Sequence, residues 1–598
     1  MVARTLITTA DERTWPKDKN EPVLFLGEWC KRYSRKHIWQ VMDYEVATYH
    51  WDDRNQLKEN SFYLQEVYEF MLRELSEYLN IIHGTKHNLR YWRIIIGPWL
   101  SIFIPILFDR WVMLDKAINE NEIKTCHILV NKNKTTYAED YSQAVKFFAE
   151  DKWNEEVYSQ LLNIFFSKNI SIERVLIKFS TKKDNIGIPT KNIKKEIINI
   201  IGKFNKLFPR DDEYFFKSTY LYLLTDLQLQ LKLKQIPRIW KSIPTPTAKP
   251  NEKIRQWRWE SKNTIDFFTI VRRLIPLHIP MAYLEGYKSM IECANSTPWP
   301  QKPKAIFTSN DHLSNDMFKI WAAKKIEKGV PLVIGQHGGH YGMTPYSFHE
   351  NHEITIADKW LSWGWSDENN NQIQPVGNLI ALGHSVQHDP KGQALMVEMS
   401  IPRYSYHMYA APIAGQWLSY FEDQCSFINA LPKELSMQLR VRLHQNDYGW
   451  DQKERWNDRL PDLQFDSGQE SIVSLIKKSR LYISTYNATT YLESLVWNVP
   501  TIIFWNPSHW ELNKDADCYI GLLKSVGIFH DTPEGAAKQM IKVWEDIPTW
   551  WGSKEVQNAR QKFCQYYSSS PERPLEKLRS IFSQIESTQI LVKKSSCE

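Results

Sequence analysis

The chain has 598 residues, of which 42% are apolar and 13% aromatic, and its formal net charge is +6. That length predicts roughly two to four domains, and the apolar content excludes a largely disordered protein. The weak, interspersed positive charge argues against a nucleic-acid partner. It fits an anionic small ligand or an anionic membrane surface.

The seven cysteines are scattered and form no Cys-x-x-Cys pair. This pattern is typical of a reducing compartment and excludes a zinc site made of cysteines. The N-terminal segment lacks the apolar core of a signal peptide, so we expect a cytoplasmic protein.

The longest apolar run extends from Ile94 to Phe108 and contains Pro98 and Pro105. It is shorter than the roughly 20 residues that a membrane-spanning helix needs, so it predicts a pair of buried helices. The alternative is contact with a membrane surface, which would place the protein against the cytoplasmic face of the inner membrane.

Short strands are predicted near the N-terminus, at residues 5–9 and 22–27. A helix is predicted over residues 63–79, where apolar residues recur at helical spacing. From about 110 to 300 helical patterns are separated by polar loops. Two of these loops, residues 178–196 and 241–253, are predicted to be irregular.

After residue 300 strands alternate with helices, which is the signature of a parallel sheet with crossover helices. The first units are the strand KAIFTS, the loop NDHLSND, a helix, and the strand PLVIG. A second run is predicted from about 400 to 506, beginning at residues 406–415 (YHMYAAPIAG). The polar segment 360–383 between the two runs is predicted to be a linker.

Several predicted strands end in polar side chains, and ligands of parallel sheets bind outside the carboxyl ends of the strands. These strand ends are therefore the candidate site. They carry Asn310, Asp311 and His312; Gln336, His337 and His340; His444, Gln445, Asn446 and Asp447; and Ser484, Thr485 and Asn487.

The last of these loops leads into a helix that begins near Thr489. Unpaired backbone N–H groups and the positive end of the helix dipole make such a start suitable for a phosphate. His444 ends another strand of the same predicted domain and can donate to that phosphate or protonate a leaving group. The alternative is an ordinary helix cap, in which Thr489 and Glu493 only loosely match a capping box.

His337 follows a buried strand and precedes two glycines, so backbone, ligand or a partner domain is expected to approach closely. The alternatives are a loop histidine satisfied by backbone contacts and a metal site shared with His340, His349 and His352. Because no carboxylate or cysteine completes a convincing ligand spacing, no metal site is predicted.

Two polar clusters near the N-terminus are candidates for the acceptor side of a cleft. They contain Asp52, Asp53, His83, Lys86 and His87. A solvated loop and a helix end explain these residues equally well.

Three motifs follow one another over about residues 300 to 510: Gln-His-Gly, then Arg-x-His-Gln, then Ser-Thr-x-Asn-x-Thr-x-x-x-Glu-Ser-Leu. Their order resembles that in the bacterial GT-B glycosyltransferases of surface polysaccharides. The most similar are transferases for CMP-activated ulosonic acids, namely Kdo and sialic-acid-like nonulosonates. CDP-glycerol glycerophosphotransferases have a similar layout. The N-terminal third is similar to a family of transferases encoded in bacterial surface-carbohydrate clusters.

The resemblance implies a role for each matching residue. His444 would contact the donor phosphate, as would the hydroxyls at the start of the helix, and Glu493 would reach the ribose. Gln336 and His337 would face the sugar or the acceptor. Two departures from the family pattern, Gln445 in place of proline and Ala488 in place of serine, put the identity of the nucleotide in doubt.

Together these patterns predict an α/β, GT-B-like protein with two Rossmann-like parallel-sheet domains facing a cleft. The domains would be residues 1–365, with a helical insertion at about 110–300, and residues 366–580, followed by a tail at 581–598. The predicted activity is transfer of an ulosonic or nonulosonic acid from a CMP donor to a carbohydrate or lipid-linked glycan acceptor. No cofactor and no metal are expected.

The predicted catalytic residues are His337, His444 and Asp311. The predicted donor-binding residues are Gln336, Ser484, Thr485, Asn487, Thr489, Thr490 and Glu493. Two other functions remain open at this point. One is a transferase of glycerol or ribitol phosphate from a CDP donor, and the other is a non-catalytic nucleotide-binding scaffold of a polysaccharide assembly complex.

Overall fold

The computed structural model describes residues 2–131, 137–177, 211–257, 259 and 266–595. Within these residues the strands form three sheets, and all strand pairs in them are parallel. The prediction of an α/β fold built on parallel sheets is confirmed. The predicted irregular loop 178–196 lies outside the described residues.

The first sheet is formed by the N-terminal part of the chain, in the order β3-β2-β1-β4-β5. Its strands are β1 (Arg4–Ile7), β2 (Val23–Phe25), β3 (Tyr44–Val46), β4 (Ile123–Asn131) and β5 (Ser171–Ile177). This sheet differs from the prediction, which gave the region 110–300 helical patterns separated by polar loops. The long strands β4 and β5 lie inside that region. β4 pairs with β1 and β5 pairs with β4, and this tertiary pairing outweighs the local pattern.

The second sheet has the order β10-β9-β8-β7-β6 and the third the order β13-β12-β11-β14-β15-β16. The second contains β6 (Phe215–Phe216), β7 (Ile306–Thr308), β8 (Leu332–Gly335), β9 (Lys359–Ser362) and β10 (Ile373–Pro375). The third contains β11 (Gln393–Val397), β12 (Leu439–Arg442), β13 (Gln464–Asp466), β14 (Ser479–Ser484), β15 (Thr501–Phe504) and β16 (Phe529–His530). In the third sheet the order reverses between β11 and β14, which is where doubly wound sheets bind ligands.

Helices cover the faces of the sheets. Up to the second sheet they are α1 (Lys36–Trp39), α2 (Arg54–His83), α3 (Leu89–Glu120), α4 (Tyr141–Phe148) and α5 (Asp151–Leu161). Around the second sheet they are α6 (Leu223–Lys232), α7 (Phe267–His278), α8 (Tyr287–Asn295), α9 (Asp311–Ser314), α10 (Asp316–Ile326) and α11 (Phe348–Ile356).

The remaining helices belong to the third sheet and the C-terminal part. They are α12 (Trp417–Asn429), α13 (Lys433–Ser436), α14 (Gln452–Arg459), α15 (Ile472–Lys477), α16 (Thr489–Val496), α17 (Lys514–Ser525), α18 (Pro533–Val543), α19 (Ile547–Gly552), α20 (Lys554–Tyr567) and α21 (Pro574–Ser595). The last helix crosses residue 581, where the tail was predicted to begin.

The long apolar run forms one helix, α3, and not the predicted pair. Pro98 and Pro105 lie inside it, and Asn88 caps its start by accepting a hydrogen bond from Tyr91 N. Among the described residues α3 is the one helix long and apolar enough to cross a membrane, and its apolar window is 100% buried inside the protein. Packing on all sides stabilises the helix enough to outweigh the backbone hydrogen bonds that the prolines remove.

Two predictions between residues 360 and 415 are wrong. The segment predicted as a linker contains most of β9 and all of β10. β10 is the edge strand, and β9 lies inside the sheet with Trp360 and Leu361 buried. The strand that opens the third sheet is β11, and residues 406–415 form no strand. Pro412 cannot donate to a sheet ladder, and Ala414 has a φ of 49°, which a strand does not allow.

The third sheet holds the other two together at its carboxyl edge. Its loop after β11 reaches the first sheet, where Arg403 donates to Trp29 O and pairs with Asp151. Its loop after β14 meets the second sheet, where Gly339 lies against Ala488. The carboxyl edge of the third sheet is therefore the centre of the molecule, and the predicted arrangement of sheets facing each other is present between the second and third sheets.

Candidate functional site

The candidate site lies where the loop after β8 meets the start of α16. A Cβ atom added to Gly339 would lie 2.2 Å from Ala488 O and 2.8 Å from Thr489 N, so only glycine fits there without movement. The same loop accepts a hydrogen bond from Asn513 N at Met343 O, at 2.8 Å. Gly339, the second glycine after His337, thus allows close backbone contact between loops of two sheets, as predicted from the sequence.

The start of α16 has hydrogen-bond donors for which the protein supplies no side-chain acceptor. Its N-cap is Ala488, which makes no side-chain hydrogen bond to the first turn. The backbone N–H groups of that turn therefore have no capping oxygen. Beside them Asn487 is buried, with Oδ1 accepting from Tyr491 and Nδ2 without a hydrogen-bond partner. Unpaired donors at a helix start form an environment suited to an anion.

The hydroxyl groups predicted to bind the donor have different surroundings. Ser484 and Thr485 are both buried. Ser484 donates to Tyr486 O within its own loop, and Thr485 donates to Val397 O, which links the ends of β14 and β11. Thr490 accepts from Tyr482 at 2.6 Å. Thr489 makes no side-chain hydrogen bond with the described residues, and its hydroxyl is the one left available at the start of α16.

Glu493 lies one turn further along α16 and is 5% exposed. Burial raises the pKa of this carboxyl to about 8, and the positive charge of Arg442 opposes that rise. Its carboxyl group makes no hydrogen bond within the described residues. A buried, unpaired carboxyl group at a strand–helix junction is a candidate contact for a ligand hydroxyl.

His444 lies in the loop after β12, on the same edge of the third sheet. Its ring is held through Nδ1, which lies 3.0 Å from Asn446 O and 3.2 Å from Asn446 N. The Nε2 atom has no partner among the described residues. This arrangement leaves one ring nitrogen for a ligand, as the predicted phosphate contact requires.

Gln336 and His337 differ in how far their side chains are free to contact a ligand. The Gln336 side chain is buried and fully hydrogen-bonded: Oε1 accepts from Trp363 N and Trp365 Nε1, and Nε2 donates to Gly338 O. This placement favours a role in shaping the loop over the predicted contact with the donor. His337 is 17% exposed, and its Nδ1 lies 3.4 Å from Glu353 Oε1.

Asp311, predicted to be catalytic, is engaged in an ion pair. Its Oδ2 lies 3.0 Å from Lys217 Nζ and accepts from Asn315 Nδ2 at 3.0 Å, and the residue is 7% exposed. Its other oxygen, Oδ1, accepts from the Ser218 hydroxyl, so both carboxylate oxygens have partners within the protein. The structure therefore gives Asp311 a structural role at the start of α9, which the sequence had predicted to be part of a loop.

The residues predicted for the acceptor side do not form one cluster. Asp52 and Asp53 lie at the start of α2, where Asp53 is the N-cap and Asp52 accepts from Gln416. The second group lies at the other end of the helix: His83 contacts Tyr283 O, His87 pairs with Glu327, and Lys86 is exposed. The 30 residues of α2 separate the two groups by about 45 Å.

Sequence analysis missed Glu353, which lies on α11 and is fully buried. No helix was predicted over this segment, although Ser347 followed by Glu350 is the sequence pattern of a helix start. In the structure Ser347 is the N-cap of α11 and accepts from Glu350 N. Glu353 Oε1 accepts from Tyr341 at 2.8 Å, and Oε2 accepts from Trp360 Nε1 at 3.2 Å.

Residues that could hold a metal ion do not converge in the part of the chain that the structure describes, where no group of three or more His, Cys, Asp or Glu has suitable geometry. The chain has an Asp-x-Asp sequence at Asp515 and Asp517, both in the first turn of α17. Both side chains are exposed. Residues two apart on a helix point in different directions, so they do not converge on one ion.

Parallel sheets that meet at their carboxyl ends, with an uncapped helix start between them, define an α/β protein with a candidate ligand site at a sheet junction. The chain belongs to the LIC12162 family of transferases, whose family model matches residues 4–582. The match spans all three sheets, so group transfer is the activity class of the whole chain. No curated protein matches it.

Several solved structures are similar to the chain, including the following three. The wall teichoic acid polymerase TagF aligns over 67% of this chain and 96% of its own, with 10% identity and a TM-score of 0.31. Acinetobacter baumannii MurG aligns over 62% and 99%, with 12% identity and a TM-score of 0.31. Arabidopsis thaliana UGT89C1, complexed with quercetin, aligns over 64% and 96%, with 11% identity and a TM-score of 0.30. At these values the likenesses carry no argument about activity.

Proposed function

We propose that this transferase is a glycosyltransferase that moves an ulosonic or nonulosonic acid from a CMP-activated donor to a surface carbohydrate acceptor. Membership of a transferase family supports group transfer. The motif around His444 and the Asn-x-Thr-x-x-x-Glu start of α16 supports a CMP donor through the resemblance stated above. The acceptor would be a carbohydrate or a lipid-linked glycan.

The observation that carries the proposal is the uncapped start of α16 beside the unpartnered Nδ2 atom of Asn487. A buried donor without a partner costs about 1–3 kcal/mol, so such a group persists where a ligand satisfies it. The donor phosphate would accept hydrogen bonds from these groups and from the Thr489 hydroxyl. Glu493 would accept from a ribose hydroxyl.

The proposed reaction needs a leaving group and a base. An acceptor oxygen attacks the anomeric carbon, the bond from that carbon to the phosphate oxygen breaks, and CMP leaves with the electron pair. The start of α16 and His444 Nε2 would stabilise the negative charge that develops on the phosphate. His337, across the junction, would take the proton of the acceptor hydroxyl.

Thermal unfolding with CMP, CDP, UDP and GDP tests the donor. A ligand that binds only the folded state raises the melting temperature by mass action. We expect CMP to give the largest rise, and we expect Thr489→Ala and His444→Ala to reduce it. Thr355→Ala, on the exposed side of α11, is the control and should keep the full rise.

Other outcomes would assign a different function. A larger rise with UDP or GDP would contradict the CMP donor. Product that gains phosphorus from a CDP-polyol would identify a polyol-phosphate transferase. If CMP binds but no donor is turned over, the scaffold function would replace the enzyme. Loss of turnover in His444→Ala with folding and association unchanged would contradict the scaffold function.

We also propose that the reaction takes place in the cytoplasm or on the cytoplasmic face of the inner membrane, without a bound cofactor or metal. Addition of a chelator to the active protein tests whether turnover needs a metal ion. Unchanged turnover after chelation is the expected result, and loss of turnover that a divalent cation restores would contradict it.

A further inference from the structure

We propose that Glu353 is a positioning residue that orients the His337 ring, so that His337 Nε2 faces the junction as the proton acceptor. The proposal rests on the proposed function for the role of His337 in catalysis. The orientation itself follows from contacts between the second-sheet loop and α11. Nothing in the sequence motifs had pointed to Glu353.

The first observation is the contact geometry. Glu353 Oε1 lies 3.4 Å from His337 Nδ1, and this nitrogen is buried and has no hydrogen-bond partner. The Glu353 carboxyl group is the acidic group that faces His337 Nδ1. Hydrogen bonds of catalytic groups are often long in the absence of substrate and shorten in the complex.

The second observation is that Glu353 is itself held rigidly. Tyr341 donates to Oε1 at 2.8 Å and Trp360 Nε1 donates to Oε2 at 3.2 Å. These two donors come from the loop after β8 and from β9, so the carboxyl group is fixed to the second sheet from two sides. A group that orients another must be less mobile than the group that it orients.

The third observation is the charge around the pair. Burial raises the pKa of Glu353 to about 7, and His337 opposes the rise. Burial lowers the pKa of His337 to about 4, against the pull of Glu353. His312 also contacts Oε1, at 3.4 Å, and burial lowers its pKa to about 3. Both imidazoles are therefore neutral at neutral pH, as a proton acceptor must be.

A neutral imidazole carries its proton on one nitrogen, and the partner of the other nitrogen selects which one. An Nδ1–H group facing Glu353 Oε1 leaves the lone pair on Nε2. Without the Glu353 carboxyl group, nothing at this position selects which His337 nitrogen carries the proton. The consequence is specific: replacement of Glu353 should change the tautomer of His337 before it changes the fold.

The test is nitrogen-15 NMR of protein labelled in its histidines, with His337→Ala to assign the signal. We expect the Nδ1-protonated tautomer of His337 in the wild-type protein and a mixture of tautomers in Glu353→Gln. Glu350→Gln is the matched control, because Glu350 lies on the same helix, has a pKa that burial also raises, and accepts from Gly342 N instead. It should leave His337 unchanged.

Turnover of CMP-N-acetylneuraminic acid and CMP-Kdo gives a second readout. We expect Glu353→Gln to lower kcat by about 10- to 100-fold with little change in KM. In the His337→Ala background the same substitution should have no further effect, since Glu353 acts through His337. Additive losses would show a structural role and overturn the proposal.

The two proposals fail in different ways. An Nε2-protonated His337 in the wild-type protein overturns the role of Glu353, and this measurement needs no donor and uses His337→Ala only to assign the signal. Failure of both donors with the expected tautomer present would contradict the proposed function and leave the positioning role standing.

Discussion

Several carboxyl groups near the sheet junction are removed from solvent and have raised pKa values. Burial raises the pKa to about 8 for Glu350, Glu398 and Glu493 and to about 7 for Glu353. Their ordinary value, 4.5, applies in the unfolded chain. Each group therefore stabilises the fold fully below pH about 4.5, and that contribution is lost as the pH rises through the folded value.

Glu398 allows this effect to be measured away from the proposed chemistry. It follows β11, is 2% exposed, and accepts from Trp456 Nε1 at 2.8 Å. We predict that Glu398→Gln leaves the melting temperature nearly unchanged at pH 5 and raises it at pH 9. The gain should be on the order of 5 °C, since each pKa unit is worth about 1.4 kcal/mol. Scanning calorimetry at both pH values checks this, and an equal shift at the two would contradict it.

At the scale of single elements, the contact between the β8 loop and α16 depends on a glycine. We predict that Gly339→Ala separates the two elements, because its Cβ would overlap Ala488 O and Thr489 N. The cost should be about 1–3 kcal/mol, the range for overpacked sites. The same variant should lose the stabilisation by CMP.

The neighbouring glycine supplies the control. A Cβ on Gly338 would lie 3.2 Å from the His340 ring, whose side chain can shift slightly. Gly338→Ala should therefore keep most of the stability and the response to CMP. If both variants bind CMP as the wild-type protein does, the contact is not needed for the site.

At the scale of the whole molecule, buried ion pairs join the first sheet to the third. Arg403 donates to Trp29 O and lies 2.6 Å from Asp151, which also accepts from Tyr404. We predict that Arg403→Ala costs about 3–5 kcal/mol, because it leaves a partly buried carboxylate without its cation. Hydrogen exchange should increase on both sides of this interface.

An exposed pair on the third sheet is the comparison for this variant. Arg459 and Glu422 are 54% and 52% exposed in their side chains. Arg459→Ala should cost no more than about 1 kcal/mol and should leave exchange at the first sheet unchanged. Equal losses in the two variants would mean that the interface does not depend on Arg403.

The sequence alone determined the local features of this protein. The strand ends that carry His337 and His444 and the helix that begins at Thr489 are where the patterns predicted them, and strands alternate with helices after residue 300 except between residues 360 and 415. These features depend on residues close together in the chain, through periodicity, glycine geometry and the unpaired groups of a helix start. They were sufficient to predict the α/β class and the junction.

Only the tertiary structure decided how distant segments share the site. It pairs Asp311 with Lys217, uses the whole Gln336 side chain to shape a loop, and sets Glu353 behind His337. It also separates the two ends of α2 and assembles the N-terminal strands into a sheet of their own. Such contacts depend on sheet order and packing between segments far apart in the chain, and no local pattern of residue types records them.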